Sequence, residues 1–408
     1  MRNIHIENYK PAPVSLLTPV AKQIEDPELY KELQEKARRL EEVLRSFDIS
    51  AEVVEIVHGA SVTRFELMVA TGTRLIRLSQ LQDEIMLALP AVSLRIEAPI
   101  RGATRVGIEI PNDKRTDVRL RELLDSEVFI NSSPLMVAVG KEVSGKPVYC
   151  DIAKMPNLLI AGTTGSGKSV CINSMITSIL VHSSPEDVRM ILIDPKVVEL
   201  SLYNGIPHLI SPVITDPGKA VGAFNWTINE MMRRHRLFEA ANVRDIRSYN
   251  EKNKDDPQAE HLPQILVVID ELAEFMWNTP REVEMWMSRL ATMGRAAGIH
   301  VVIATQHPSP CIITGVIKVN IGSRIAFAVT SGVDSRTIID CVGAEKLIGM
   351  GDMLYFPLVS PYPIRTQGVY VSEDDVEAVV DYLKKTYGPM YDEAVMEAIN
   401  DRSKFEEE

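Results

Sequence analysis

The sequence predicts an α/β chain, in which a P-loop domain with a parallel core sheet is preceded by a small α+β domain. Gly162-Thr-Thr-Gly-Ser-Gly-Lys-Ser169 follows an apolar, strand-like run and opens a helical stretch. Five short, β-branched, nearly continuous apolar runs alternate with helical segments over residues 157–329. Strands buried on both faces of a parallel sheet have this pattern. Over 51–110 the apolar period is two instead, as in half-buried antiparallel strands.

Taken in order, residues 1–25 contain Lys10-Pro-Ala-Pro13 and Thr18-Pro19 and read as an irregular arm. Asp26 suits an N-cap and Pro27 the first position of a helix. Leu29, Leu33, Ala37, Leu40 and Leu44 then recur at steps of three and four, marking one buried face. Strands are expected at 51–57, 61–68, 93–98 and 105–110, with short helices at 78–89 and 117–124. Asn131-Ser-Ser-Pro134 reads as a linker, so the small domain spans 26–131. The second domain, 132–375, carries strands at 157–161, 189–193, 265–269, 300–304 and 324–329. Helices at 169–181, 219–241 and 283–297 lie between them, and 353–356 with 364–371 reads as a closing hairpin. An acidic helix from 374 to 386 and a polar tail make up a last region, 376–408.

Among 408 residues, 45% apolar and 25% charged residues is globular composition and excludes wholesale disorder. No run approaches the roughly 18 apolar residues of a membrane span, and the N-terminus lacks the apolar core of a signal peptide. Cys150, Cys171, Cys311 and Cys341 form no CxxC pair, so buried reduced thiols and a cytoplasmic setting are expected. The net charge of −12 would repel nucleic acid if it were spread evenly. It is not, because residues 372–408 alone hold twelve acids against four bases. The remainder is close to neutral, and charge does not decide the partner.

The motif at 162–169 is a complete GxxxxGK[ST]. Its glycines Gly162, Gly165 and Gly167 let the backbone curl, so that the N–H groups of Thr163, Thr164, Ser166 and on to Val170 face phosphates. The helix start adds positive potential. Lys168 would reach the β- and γ-phosphates and the Ser169 hydroxyl would ligate Mg²⁺. Ile265-Leu-Val-Val-Ile-Asp270-Glu271 supplies a strand ending in an acid. Asp270 would hold Mg²⁺ through water, and Glu271 would act as general base toward the attacking water. Gln306, ending the next strand, is placed to touch the γ-phosphate or its water. Asn253-Lys-Asp-Asp256 imitates a guanine-reading motif but sits in a polar loop before the Asp270 strand, so ATP is the expected nucleotide.

These residues lie in a longer array. It includes Ile193-Asp-Pro-Lys-Val-Val-Glu-Leu200, Ile206-Pro-His-Leu209, Arg295-Ala-Ala-Gly-Ile-His300, Ser323-Arg-Ile-Ala-Phe327, Asp334-Ser-Arg-Thr337 and Gly351-Asp-Met-Leu354. With Val62-Thr-Arg-Phe-Glu66 and Val106-Gly-Ile-Glu-Ile-Pro-Asn112, the array resembles the FtsK/SpoIIIE family of DNA translocases over roughly 25–375. The resemblance implies a RecA-like motor domain behind a smaller α domain, and a homohexameric ring that pumps double-stranded DNA at the expense of ATP. It also implies an arginine acting on the neighbouring subunit's nucleotide, with Arg324 the first candidate and Arg295 and Arg336 the alternatives. Lys318, Lys346 and Arg336 are the candidate contacts to DNA phosphates. The rival readings are a secretion or conjugation coupling ATPase that moves protein, and a degenerate DNA-binding ring that hydrolyses poorly. Full-length relatives are expected to attach to the inner face of the cell membrane through regions outside this sequence.

Three positions depart from the family pattern: His307 replaces an arginine, Met350 a basic residue and His235 a tyrosine. The lost charge at 307 and 350 is expected to affect pore grip or subunit coupling rather than hydrolysis.

Overall fold

The computed structural model describes residues 6–20, 27–100, 103–256 and 259–400. Its first unit comprises α1 (Pro27–Ser46), β1 (Ala51–His58), β2 (Val62–Val69), α2 (Ile76–Gln80), α3 (Gln82–Ala88), β3 (Arg95–Glu97) and β4 (Val106–Pro111). The strands form an antiparallel sheet in the order β1-β2-β4-β3. Leu33, Ala37, Leu40 and Leu44 of α1 bury against Phe65, Leu67, Ile108 and Ile110, as the helical spacing requires, while Leu29 is only partly covered. The expected cap Asp26 lies outside the described residues. The single helix expected at 78–89 is two, interrupted at Leu81 where ψ is +21°.

The helix expected at 117–124 is half strand. Val118–Arg119 forms β5 and pairs in parallel with Val369 and Tyr370, so only α4 (Leu120–Leu124) is helical. After α5 (Glu127–Ile130), the hairpin of β6 (Met136–Glu142) and β7 (Pro147–Asp151) was not expected from the sequence. The predicted alternation follows: β8 (Asn157–Ala161), α6 (Lys168–Leu180), β9 (Val188–Ile193), α7 (Pro217–Ala241), α8 (Ile246–Lys252), β10 (Gln264–Ile269), α9 (Ala273–Asn278), α10 (Pro280–Ala297) and β11 (Ile299–Thr305). The chain continues through α11 (Gly315–Asn320), β12 (Ser323–Phe327), α12 (Gly332–Ile339), β13 (Asp352–Phe356), β14 (Ile364–Tyr370), α13 (Glu373–Thr386) and α14 (Glu393–Asn400).

The large sheet runs β7-β6-β14-β13-β12-β8-β11-β10-β9. From β12 to β9 all pairs are parallel, and from β7 to β12 all are antiparallel. Central strand β8 feeds both cores, because successive side chains of a strand point to opposite faces. Leu158 and Ile160 pack with Ile172 and Ile176 of α6, whereas Leu159 and Ala161 pack in the cluster holding Phe224 of α7 and Trp286 of α10.

Residues 12–18 and 373–400 both belong to this body. Ala12 and Leu17 of the arm are buried in the α6 cluster, and Thr18 donates through its amide and hydroxyl to Asp375 at 2.8 and 2.7 Å. Helix α13 starts in a capping box between Ser372 and Asp375 and buries Val376, Val379, Val380 and Leu383, so the acidic helix is part of the core. Residues expected as polar tail form α14, whose Val395 and Ile399 are buried; a Cβ on Gly222 of α7 would come within 2.0 Å of the Ile399 carbonyl oxygen. Cys150 and Cys171 are buried as expected, but Cys311 is exposed and Cys341 half-buried. Among the described residues no helix is long and apolar enough to cross a membrane.

Two buried imidazoles bracket β9 and β10. His208 lies 3.0 Å from the Ser183 carbonyl, and His300 lies 2.8 Å from Gln264 Oε1. Burial pushes the first down to about 4 and the second to about 3. Folded values below the unfolded ~6.5 mean that both contribute stability above that pH and lose it as pH falls toward the folded values. Unfolding free energy should therefore drop by about 2–3 kcal/mol per pH unit between pH 6 and 5, with roughly half the slope surviving His208→Asn. Thermal midpoints that stay level across that window would contradict the assignment.

Candidate nucleotide site

The loop 162–167 leaves β8 at the edge where the parallel strands end. Glycine is required at two of its positions. A Cβ on Gly162 would lie 2.5 Å from that of Phe327, and Gly167, at φ +121°, has the Gly351 amide nitrogen 2.8 Å from where its Cβ would be. Ser166 N–H donates to the Thr163 carbonyl at 3.1 Å, closing the turn, and Thr163 N–H donates to Ala328 O at 3.0 Å. Helix α6 then begins at Lys168, with its N-terminus facing the loop.

Lys168 and Asp270 are both almost fully buried and meet directly: Nζ donates to Oδ1 at 2.5 Å and to the Asp270 carbonyl at 2.9 Å. Burial raises the Asp270 pKa, Lys168 opposes it, and nearby Asp194 and Glu199 push the same way as burial. Asp270 Oδ2 is buried and has no hydrogen-bond partner among the described residues. The Ser169 hydroxyl donates to Glu199 Oε1 at 2.7 Å.

Glu271 is fully buried and heavily engaged. It accepts from the Thr305 hydroxyl at 2.7 Å, from the Gln306 amide at 3.2 Å and from Lys196 Nζ at 2.9 Å. Burial would raise its pKa, but the bonds from Lys196, Thr305 and Gln306 outweigh it and hold the carboxyl below its ordinary range. Gln306 Oε1 in turn accepts from the Thr164 hydroxyl at 3.0 Å, tying the end of β11 to the P-loop.

Lys168, Ser169, Asp270, Glu271 and Gln306 are thus brought together from the ends of β8, β10 and β11, the placement expected of a site at the carboxyl edge of parallel strands. Lys196, Glu199 and Asp194 were not anticipated as site residues. Buried Asp194, at the end of β9, accepts backbone N–H groups from Lys196, Val197, Val198, Glu199 and Leu200. That cage folds the loop so that Lys196 reaches Glu271 and Glu199 reaches Ser169. An acid ending a buried parallel strand was the available signal.

A cavity of about 400 Å³ lies against the loop. Thr164, Lys168 and Gln306 line its polar end, and Val118, Val139 and Val369 its apolar end. The apolar residues come from β5, β6 and β14, of which β6 and β14 are antiparallel neighbours and β5 pairs in parallel with β14. Met350 also lines the cavity. His235 faces the Met293 carbonyl at 3.1 Å and packs edge-on to Phe238, a structural position. His307 lies beside the Trp277 ring at 5.5 Å.

The other expected site residues lie apart. Arg324 is 8% exposed and its guanidinium donates to Asp340 at 2.5 Å and to the carbonyls of Ile321, Ile338 and Lys318. It braces α11 and α12. Lys318 is also paired with Asp340, and Lys346 donates to Gln82 Oε1 of the small unit at 3.3 Å. Arg336 and Arg295 are exposed.

Comparison with known proteins points one way. The FtsK/SpoIIIE family model matches residues 119–310 and the FtsK alpha domain model matches residues 12–112. A DNA translocase FtsK from Caldanaerobacter subterraneus subsp. tengcongensis is 53% identical over 402 residues, 98% of this chain and 56% of that protein. The DNA translocase SpoIIIE of Bacillus subtilis is 46% identical over 374 residues, 90% of this chain and 47% of that protein. The chain therefore spans about half the length of the curated relatives it matches. Among solved structures, the pCW3 conjugation coupling protein TcpA, in monomer form with ATPgS, superposes with a TM-score of 0.59 at 22% identity, covering 85% of this chain and 99% of that one. The cytoplasmic domain of the Thermomonospora curvata type VII secretion ATPase EccC gives 0.55 at 22% identity, over 66% of this chain and 34% of that one. At such identities the likeness shows the fold, a RecA-like P-loop ATPase fold.

The Lys168–Asp270 pair makes a prediction about stability alone. Removing one member of a buried pair strands the other, so Lys168→Ala should cost about 3–5 kcal/mol. Adding Asp270→Asn should recover most of that loss. Denaturant unfolding of the single and double variants checks it, and strictly additive losses would contradict it.

Proposed function

The chain belongs to the FtsK/SpoIIIE family, and on that premise we propose that it is an ATP-driven motor that translocates double-stranded DNA. It would work in the cytoplasm as a homohexameric ring, in chromosome segregation, sporulation or conjugative transfer. The observation that carries this reading is one cavity lined by Lys168, Ser169 and Gln306 together with Val118, Val139 and Val369, with Asp270 bonded to Lys168 and Glu271 to the Gln306 amide behind it. A nucleoside triphosphate fits it chemically, with phosphates at the P-loop and base against Val118, Val139 and Val369.

The donor set suits Mg²⁺. This ion keeps several waters and takes only one or two carboxylates, and here a hydroxyl (Ser169) stands with a buried carboxylate whose Oδ2 is unpartnered (Asp270). When bound, it would neutralise charge between the β- and γ-phosphates. Lys168 would exchange Asp270 for phosphate oxygens, and Glu199 would orient the Ser169 hydroxyl. Glu271 would accept the proton of the attacking water, kept ionised and aimed by Lys196 and Thr305. Gln306 would report the γ-phosphate to the P-loop through Thr164. In a ring, the arginine reaching a neighbour's nucleotide is proposed to be Arg336 or Arg295, since Arg324 is committed elsewhere. DNA phosphates would be met by exposed Arg336, and by Lys318 and Lys346 only after their present bonds are released.

Double-stranded DNA is preferred to protein as cargo because relatives named DNA translocases are 46–53% identical, whereas the secretion ATPase is only 22% identical. Long linear duplex DNA should stimulate ATP hydrolysis and allow displacement of a triplex strand, with Glu271→Gln lowering turnover by about 10²–10⁴-fold. Hydrolysis indifferent to DNA would favour a protein-moving machine, and none at all an inert ring. Replacing Arg336 with Ala should lower the salt slope of DNA binding by about one unit. An unchanged slope rejects that contact.

A further inference from the structure

The antiparallel sheet of the small unit has one apolar face on α1 and one face carrying charges. On that second face Arg64, Glu109 and Arg95 sit abreast on β2, β4 and β3. Such a face is ordinarily wet, yet Glu109 is 1% exposed. Its Oε2 accepts from Arg95 at 2.8 Å and from Arg365 of β14, in the large sheet, at 2.7 Å. Burial would raise Glu109, but the two arginines overcome it and hold it at about 2. The rest of the Arg365 guanidinium forks onto Asp352, with Nε to Oδ1 at 3.0 Å and Nη2 to Oδ2 at 2.6 Å.

Asp352 closes a turn, accepting from the Ile348 amide at 2.9 Å. Gly349, Met350 and Gly351 follow one another at φ +75°, +51° and +89°. A non-glycine residue at positive φ is held there by its surroundings. The turn presses directly on the P-loop, since Gly351 N–H donates to the Ser166 carbonyl at 2.9 Å. A second route reaches the same turn: Ser61, between β1 and β2, donates to Gln367 Oε1 at 2.5 Å, and Gln367 Nε2 donates to the Met350 carbonyl at 2.9 Å. Two directional, hydrogen-bonded routes therefore run from the small sheet to a turn that lines the cavity.

We propose that Arg365 and Gln367 are positioning residues of the nucleotide site, holding the 348–352 turn on the P-loop in register with the small sheet. Nucleotide affinity then depends on Glu109 and Ser61, which do not line the cavity. The proposal rests on the cavity being a nucleotide site. Linkage makes it reciprocal: nucleotide must alter the small sheet by the same free energy with which the sheet alters nucleotide binding.

The test uses the full chain, ATPγS with Mg²⁺ as probe, and the variants Glu109→Gln and Ser61→Ala. Glu109→Gln keeps shape and removes charge; Ser61→Ala breaks the other route without touching the ion pairs, which guards against a variant that fails to fold. Each should weaken ATPγS binding by about 5-fold or more. Binding should also change amide exchange over 106–111 in the wild type, and this response should shrink in Glu109→Gln. Variants that lose thermal stability but bind ATPγS as the wild type does, with the exchange response intact, would overturn the proposal and leave the nucleotide reading standing. A wild-type chain that binds no ATPγS would overturn both.

Discussion

A buried lysine and a buried aspartate cannot both stay charged without each other, and Lys168 and Asp270 meet at 2.5 Å. Much of the site follows from that constraint. The pair requires β8 and β10 to end at the same level. They lie on either side of β11, which contributes Thr305 and Gln306. It also leaves Asp270 with one carboxylate oxygen unsatisfied, poised for a cation. Charges one layer out are then set in sequence: Glu271 finds Lys196, and Ser169 finds Glu199, both from the loop caged by Asp194.

The sheet supplies the two chemical characters of the cavity from two kinds of strand. Parallel strands converge their carboxyl ends and so concentrate polar groups. The antiparallel strands instead run alongside α6 and present Val139 and Val369, which make the apolar end. The strand β14 has a third duty, since Arg365 and Gln367 lie on it and join the small sheet to the P-loop turn.

The parallel half was legible because a strand buried on both faces has to be continuously apolar, and 157–161 and 265–269 are. Their terminal residues were legible as chemistry for the same reason: a charge directly after such a run needs an explanation. The β6–β7 hairpin was not, because its place is set by pairing with β14 more than 200 residues away, which no local pattern encodes. Residues 118–119 failed for the same cause. Lys196 and Glu199 depend on how Asp194 folds a loop, and Arg324 on Asp340, itself in a left-handed turn after α12. Even the net charge was more local than its sum. Residues 372–408 hold −8 of the −12, and within them α13 is packed into the core through its apolar side, with its acids turned to solvent or used as caps.

The exchange of the Lys168–Asp270 pair for phosphate and cation is tested most directly by titrating ATPγS into wild type and Asp270→Asn, each with and without Mg²⁺. Without Mg²⁺ the variant should bind more tightly than wild type, because Lys168 is released and a negative charge facing phosphate is gone. With Mg²⁺ it should gain less than wild type does. Weaker binding by the variant without Mg²⁺, together with an undiminished gain from Mg²⁺, would contradict the account.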